Sequence, residues 1–295
     1  MTPAPENPSA AHPKRPTLPN ARSAWRPSGW HDGWVSEATI RPAGAAPFAA
    51  DGGDVGVVLS HGFTGTPASM RPWAEHLAAA GYTVRLPLLP GHGSTWREAN
   101  KSTWHDWYGA VEAAYAEVAR RCSTVFAFGL SMGGTLVLRL AEQQREKLAG
   151  VVVVNPSLAT ERFDARFARY IAWAMPSRPG IGSDIKKPGV TEVAYDRTPV
   201  RAFVSLQELW AATRAGLGDI TAPVLMFRSA DDHVVEPLSG RLLRAGATAT
   251  TVREVLLTDS YHVATLDNDA PRIFAESTDF VRSLSPADRS GEPAT

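Results

Sequence analysis

A single cysteine, Cys122, occurs among the 295 residues, so no intrachain disulfide can form. Cys122 falls between a helical stretch and an apolar run, where a buried structural thiol is expected. Cysteine and histidine nowhere cluster at metal-ligand spacing, and no metal site is expected. The chain lacks any apolar run approaching the roughly 20 residues that span a bilayer. Its first 20 residues also lack the apolar core of a secretory leader. Those two absences predict a cytoplasmic protein without a transmembrane segment. An excess of one charge is missing too: 30 Lys and Arg face 30 Asp and Glu. Such a balance gives no general attraction for a phosphate backbone, and no nucleic-acid partner is expected.

What the chain does have is material for a core, with 44% of its residues hydrophobic. That material is unevenly spread. Residues 1–34 are rich in proline and poor in aliphatics, without a period of 2 or 3.6, which predicts a disordered arm. Trp25, Trp30 and Trp34 are the residues there suited to pin it to the body. From Asp51 onward short apolar runs alternate with amphipathic stretches. Val55–Leu59, Tyr82–Leu86, Thr124–Phe128, Gly150–Val154, Pro223–Phe227 and Val252–Leu257 read as strands. Between them, helices are predicted near 67–80, 104–118, 132–144, 237–245 and 271–284, the second marked by Trp104, Trp107, Tyr108, Val111, Tyr115 and Val118. Alternation of this kind predicts an α/β fold, a mostly parallel doubly wound sheet with helices on both faces. The core is expected over 35–155 and 220–286, with a flexible tail at 287–295.

One segment breaks the rhythm. No strand is evident between Asn155 and Thr221, while Phe163, Phe167, Tyr170, Ile171 and Met175 form one helical stripe and Phe203, Leu206 and Trp210 another. Residues 156–219 are therefore predicted to be a small helical cap insertion. Part of its apolar surface, Met175 and Phe203 in particular, is expected to roof a site and bind substrate.

In an open parallel sheet ligands bind beyond the carboxyl ends of the strands. The Thr124–Phe128 strand runs into Gly129-Leu-Ser131-Met-Gly133, a G-x-S-x-G between strand and helix, as a nucleophile elbow requires. Glycines two positions either side of the serine leave room for that tight turn. A serine nucleophile needs a base, and the base needs a carboxylate to orient it. Only His233 and His262 follow Ser131. His262 lies in the loop after the last strand, whereas His233 is too close to the carboxylates to reach the serine. The acid comes from Asp231-Asp232, after the Pro223–Phe227 strand. Backbone N–H groups must stabilise the oxyanion. Met132 supplies one as the residue after the nucleophile, and Phe63 in Ser60-His-Gly-Phe-Thr-Gly65 is the natural second donor. His61 is expected to brace that turn, and His92 to make a structural hydrogen bond.

Taken together, His61-Gly-Phe-Thr-Gly65, Pro90-Gly-His-Gly93, Gly129-Leu-Ser-Met-Gly133, Ala230-Asp-Asp232 and His262-Val-Ala-Thr-Leu-Asp267 resemble the small bacterial carboxylesterases and monoacylglycerol lipases of the α/β-hydrolase superfamily. The resemblance runs from about Asp51 to Leu284, and extends to Thr198-Pro199 and Leu206-Gln-Glu-Leu209 in the insertion. It implies the α/β-hydrolase fold, with Ser131, Asp232 and His262 as triad and the Phe63 and Met132 amides as oxyanion hole. Counting back from Glu236-Pro237, it is the resemblance that selects Asp232 over Asp231. The implied activity is hydrolysis of short to medium acyl esters or monoacylglycerols through an acyl-serine, without a cofactor. The implied partner is a small ester or lipid. Two other readings use the same features: an acyltransferase or carbon–carbon bond hydrolase on this triad, and a non-catalytic ligand-binding member of the fold.

Overall fold

In the computed structural model, residues 44–180 and 182–285 are described. The expected arm at 1–34 and tail at 287–295 lie outside them. The elements run β1 (Phe48–Ala50), β2 (Val55–Ser60), α1 (Arg71–Ala79), β3 (Thr83–Leu86), α2 (Trp96–Ala99), α3 (Trp104–Ala119), β4 (Thr124–Leu130), α4 (Met132–Gln144) and β5 (Gly150–Val154). After β5 come α5 (Ala168–Ile171), β6 (Ser177–Pro179), β7 (Arg197–Pro199), α6 (Val200–Gly216), β8 (Val224–Ser229), α7 (Leu238–Gly246), β9 (Val252–Leu257) and α8 (Ala270–Leu284). The main sheet has the order β1-β3-β2-β4-β5-β8-β9. All its pairs are parallel except β1 with β3. This is the mostly parallel sheet with helices on both faces that the alternation predicts.

The unbroken apolar runs are explained by what covers the sheet. Successive side chains point to opposite faces, and in the central strands both faces are buried. Val57, Leu59, Val152, Val154, Leu225 and Phe227 meet α1 and α8 on one side. Their neighbours of opposite parity on the same strands, Val58, Val151, Val153, Val224 and Met226, meet α3, α4, α6 and α7 on the other. The short edge strand β1 was not legible from periodicity, since three residues carry none. Cys122 is buried, its Sγ 3.6 Å from the Gly53 carbonyl.

The segment 156–219 differs from the expected all-helical insertion. It contains a two-stranded antiparallel sheet, Ser177 opposite Pro199 and Pro179 opposite Arg197. Proline at the strand ends, confined to edges because it cannot donate to a ladder, hid this pairing from a reading by composition. Helix α6 packs on α4, with Leu206, Leu209 and Trp210 joining the core cluster.

Across the α1–α8 face, Trp73 is fully buried, and its indole N–H donates to Ser277 Oγ at 2.9 Å. Its ring lies 5.0 Å from that of Phe128 and 6.1 Å from Phe274. Trp73→Ala is expected to cost about 3–5 kcal/mol of unfolding free energy. Ser277→Ala, which strands the indole N–H in the core, should cost about 1–3 kcal/mol. Urea denaturation measures both, and a Ser277→Ala midpoint equal to wild type would show that the hydrogen bond contributes nothing.

Candidate active site

Ser131 sits between β4 and α4 with φ 55° and ψ −120°. A non-glycine residue there costs about 1–3 kcal/mol and persists only where its surroundings enforce it. They do. A Cβ on Gly133 would come well inside 3.0 Å of the Ser60 carbonyl, and one on Gly129 would meet the Gly133 carbonyl as closely. Glycine at both positions lets the ends of β2 and β4 and the start of α4 converge on one turn. The Ser131 amide is tied to the Val154 carbonyl at 2.9 Å, so the elbow is also fastened to β5. Ser131 opens onto a cavity of about 380 Å³ whose wall includes Phe63, His262, Glu192, Phe203 and Trp210. That volume lies within the usual range of small-molecule sites, about 300–1,000 Å³.

The structure pairs His262 with Asp232: Nδ1 and Oδ2 are 2.8 Å apart. The Asp232 side chain is only 6% exposed, and its Oδ1 accepts the amides of Val234 and Val235, both at 2.8 Å. Asp231, its neighbour, is exposed. With Nδ1 taken, Nε2 is the ring nitrogen left for a second partner. The base loop is held by its own backbone as well. The His262 N–H donates to Asp184 Oδ2 at 3.0 Å, and its carbonyl accepts from Asn155 Nδ2 at 2.8 Å. His233 is placed outside this pair, with Nδ1 2.7 Å from Asp184 Oδ1.

Burial works to lower the pKa of His262, yet the charge and hydrogen bond of Asp232, then the charges of Glu192 and Asp184, outweigh it and raise it above 6.5. For Asp232 burial acts upward. The His262 charge and hydrogen bond, with the Val235 and Val234 amides, hold it below the ordinary carboxylate value. His61 and His92 show burial without a carboxylate. Desolvation, then the charge of His92, pushes His61 down to about 3, and desolvation pushes His92 down to about 4. Both are neutral imidazoles with structural bonds. His61 Nδ1 donates to the Gly62 carbonyl at 3.0 Å, and its Nε2 accepts the Leu89 amide at 3.2 Å. His92 Nδ1 donates to the Pro90 carbonyl at 3.1 Å.

Phe63 lines the cavity together with Ser131, and Met132 follows the serine in the chain. Met132 is the first residue of α4 and fully buried, at the end where the helix dipole favours negative charge. The Phe63 ring packs against Trp107, His92 and Phe203 at 5.9, 6.3 and 6.4 Å, which fixes the loop carrying its amide. Among the described residues, no carbonyl takes either N–H.

Of the two residues expected to roof the site, Phe203 lines the cavity and Met175 does not. Met175 is 43% exposed, and Phe163, Phe167 and Tyr170 also face outward. The helical stripe assumed 3.6 residues per turn. Residues 163–167 instead form a 3₁₀ turn leading into α5. A repeat of three then brings Ala165, Ala168 and Ile171 to the cavity.

Three polar residues escaped sequence reasoning: Asn155, Asp184 and Glu192. Glu192 lines the cavity. Its enclosure raises its pKa to about 7 against the opposing charge of His262. Among the described residues its carboxyl has no hydrogen-bond partner, although its amide donates to Ser183 Oγ. The only hint in the sequence was the presence of acids in an otherwise Pro-, Gly- and Lys-rich stretch.

Comparison with known proteins adds a second line of observation. The family model described as Serine aminopeptidase, S33 (Hydrolase_4) matches residues 54–269. The thermostable monoacylglycerol lipase of Bacillus sp. (strain H-257) is 45% identical over 244 residues, covering 81% of this chain and 94% of that protein. The carboxylesterase of Bacillus subtilis (strain 168) is 25% identical over 239 residues, 81% of this chain and 96% of its own length. A solved structure from the metagenome-derived lipolytic enzymes LipS and LipT superimposes with a TM-score of 0.79 at 43% identity, over 82% of this chain and 98% of that one.

The electrostatics can be tested by titrating the histidine rings by NMR. His262 should half-protonate above 6.5, while His61 and His92 stay neutral until about 3 and about 4. Asp232→Asn should lower the His262 midpoint, because burial then meets less opposition, and Asp231→Asn should move it far less. Equal shifts in the two variants would contradict the pairing.

Proposed function

This chain belongs to the Hydrolase_4 family, and from that premise we propose that it is a serine esterase cleaving short- to medium-chain acyl esters, monoacylglycerols among them. Ser131 Oγ attacks the ester carbonyl while His262 Nε2 takes its proton. Asp232 holds the ring in the tautomer that allows this and stabilises the imidazolium. The Phe63 and Met132 amides receive the oxyanion beside a serine and a histidine that are both buried, where such donors are worth more than in water. The alcohol then departs with the proton from His262. Water, deprotonated by the same nitrogen, releases the acid and restores Ser131. The single observation carrying this reading is the 2.8 Å bond from His262 to a buried Asp232, in a cavity shared with a serine held at φ 55°. Likeness to a named monoacylglycerol lipase at 45% identity supports the substrate class.

The cavity wall suggests how the two halves of such a substrate are sorted. Phe203, Leu206, Trp210, Ile171 and Val263 offer apolar surface to an acyl chain. Glu192, whose carboxyl feels the charge of His262, lies towards the group that hands a proton to the leaving alcohol. It is suited to meet hydroxyls on that alcohol. An alkyl ester has none to offer.

Ser131→Ala should fold and lose nearly all turnover, leaving a residual acceleration of about 10³–10⁴ over water. Asp232→Asn should lower kcat by roughly 10⁴, and Asp231→Asn by about tenfold or less. Retention of more than about a tenth of kcat in Ser131→Ala would remove the serine from its assigned role. A parallel assay on amino-acid p-nitroanilides tests the peptidase chemistry named in the family description.

Chain length probes the acyl wall. Each buried methylene is worth about 0.8 kcal/mol, so kcat/KM for p-nitrophenyl esters should rise up to roughly fourfold per carbon until the cavity fills. Phe203→Ala should flatten that rise and change acetate hydrolysis little, while Met175→Ala should leave the whole series unaltered. Proportionate losses on acetate and longer esters would show that Phe203 serves packing alone. Glu192→Gln should weaken monoacylglycerol turnover more than that of the matching ethyl ester.

A further inference from the structure

The loop that carries His262 is clasped to the chain segment 184–187 by two carboxylates, one from each side. Asp184 reaches out of that segment. Its Oδ2 accepts the His262 N–H at 3.0 Å and the His233 N–H at 3.2 Å, and its Oδ1 lies 2.7 Å from His233 Nδ1. The Asp184 carbonyl accepts the Val263 N–H at 3.1 Å. From the other side Asp267, fully buried, accepts the amides of Lys186 and Lys187 at 2.7 and 2.9 Å. It also accepts those of Tyr261 and Asn268 at 2.9 and 2.8 Å. Lys186 adds an ion pair to Asp259 at 2.9 Å.

Asp184 differs from Asp267 in what it joins. His233 follows Asp232 directly, so a single oxygen of Asp184 ties the backbone of the acid loop to the backbone of the base loop. Those loops leave two different strands, β8 and β9, and the Asp232–His262 bond spans them. Neither loop is a regular element with a ladder to fix it. The relative position of the two side chains therefore depends on such cross-bridges. We propose that Asp184 is a positioning residue for the reaction: by accepting both backbone N–H groups it sets the Asp232–His262 pair, and through its place beside the cavity it links that pair to the segment over the substrate. The inference rests on the triad reading given above.

Asp184 also faces His262 as a charge. The groups that do so are Asp232 from the loop after β8, and Glu192 and Asp184 from the segment between β6 and β7, all of which favour the imidazolium. Position and charge can be separated by substitution. Asn offers an oxygen to the same two N–H groups without the charge, whereas Ala offers neither.

The experiment measures kcat, KM and the acid limb of kcat/KM for Asp184→Ala and Asp184→Asn, with active sites counted by phosphonate titration so that unfolded protein does not enter kcat. Asp184→Ala should lose about 10–100-fold in kcat, the scale of a misplaced catalytic group, with KM changed far less. Asp184→Asn should recover most of that loss, yet its acid limb should move to lower pH, as in Asp184→Ala. A purely structural role predicts a lower melting temperature with kcat per titrated site and acid limb unchanged, and that result overturns the proposal. Should Asp184→Ala not fold, the acid limb of Asp184→Asn decides: superposition on wild type overturns it. Ser131→Ala is run alongside. If it is inactive and both Asp184 variants match wild type, the positioning role alone is refuted; if Ser131→Ala stays active, the site reading falls and this inference with it.

Discussion

Gly133 lies so close to the end of β2 that a single added carbon would collide with the Ser60 carbonyl. Much of the site follows from that contact. Because α4 begins there, its N-terminus is brought against the loop after β2, where a Cβ on Gly62 would lie 3.4 Å from that of Ser131. Because the turn has no room to relax, Ser131 is held at φ 55°, with its side chain presented at the top of the sheet and its amide fastened to β5. The strain of the turn is carried by the most deeply buried part of the molecule. Met132, Leu136, Val137 and Leu140 of α4 are wholly buried, so the strained conformation is the one compatible with core packing.

Around the serine, burial and carboxylates divide the histidines into two kinds. His61, His92 and His262 are all enclosed. The first two have only carbonyl or amide partners, remain neutral and act as struts, His61 joining Gly62 in the loop after β2 to Leu89 in the loop after β3. His262 faces Asp232, Glu192 and Asp184, which overcome its desolvation and favour its protonated form. On the proposed mechanism His262 becomes an imidazolium in mid-reaction, and it sits where that charge is stabilised, while His61 and His92 are held too low to compete for the proton.

The segment between β5 and β8 has a double duty. Helix α6 belongs to the helical layer of the core, yet Phe203, Leu206 and Trp210 on it also form cavity wall. The stretch before it turns its larger apolar groups outward, with Trp173 81% exposed, and gives the cavity Ala165, Ala168 and Ile171. The two alanines there leave volume for a substrate, and Ile171 with the large residues on α6 supplies the apolar surface. The segment that follows, at 184–187, is bound to the base loop by Asp184 and Asp267. Cavity wall and His262 loop are in this way mechanically continuous.

The sequence by itself determined the six parallel strands and the main helices between them, the two-faced sheet, the G-x-S-x-G turn at Ser131 and the candidates for base and acid, but not β1, β6 or β7. Each of these is written in local patterns: parity along a strand, a 3.6 period along a helix, glycines at fixed offsets from a serine. It did not determine which of two adjacent aspartates meets His262 by spacing alone, which face of 163–175 lines the cavity, or that Asp184, Glu192 and Asn155 belong to the site. Asp184 meets a residue 78 positions away, and Asn155 one 107 away. Side chains that bond across such separations leave no period in the chain, because their positions are set by the packing of whole elements. Only the tertiary structure brings them together. The same holds for the 3₁₀ turn at 163–167: helices of three and of 3.6 residues per turn draw on the same residue types, and the packing around them decides between the two.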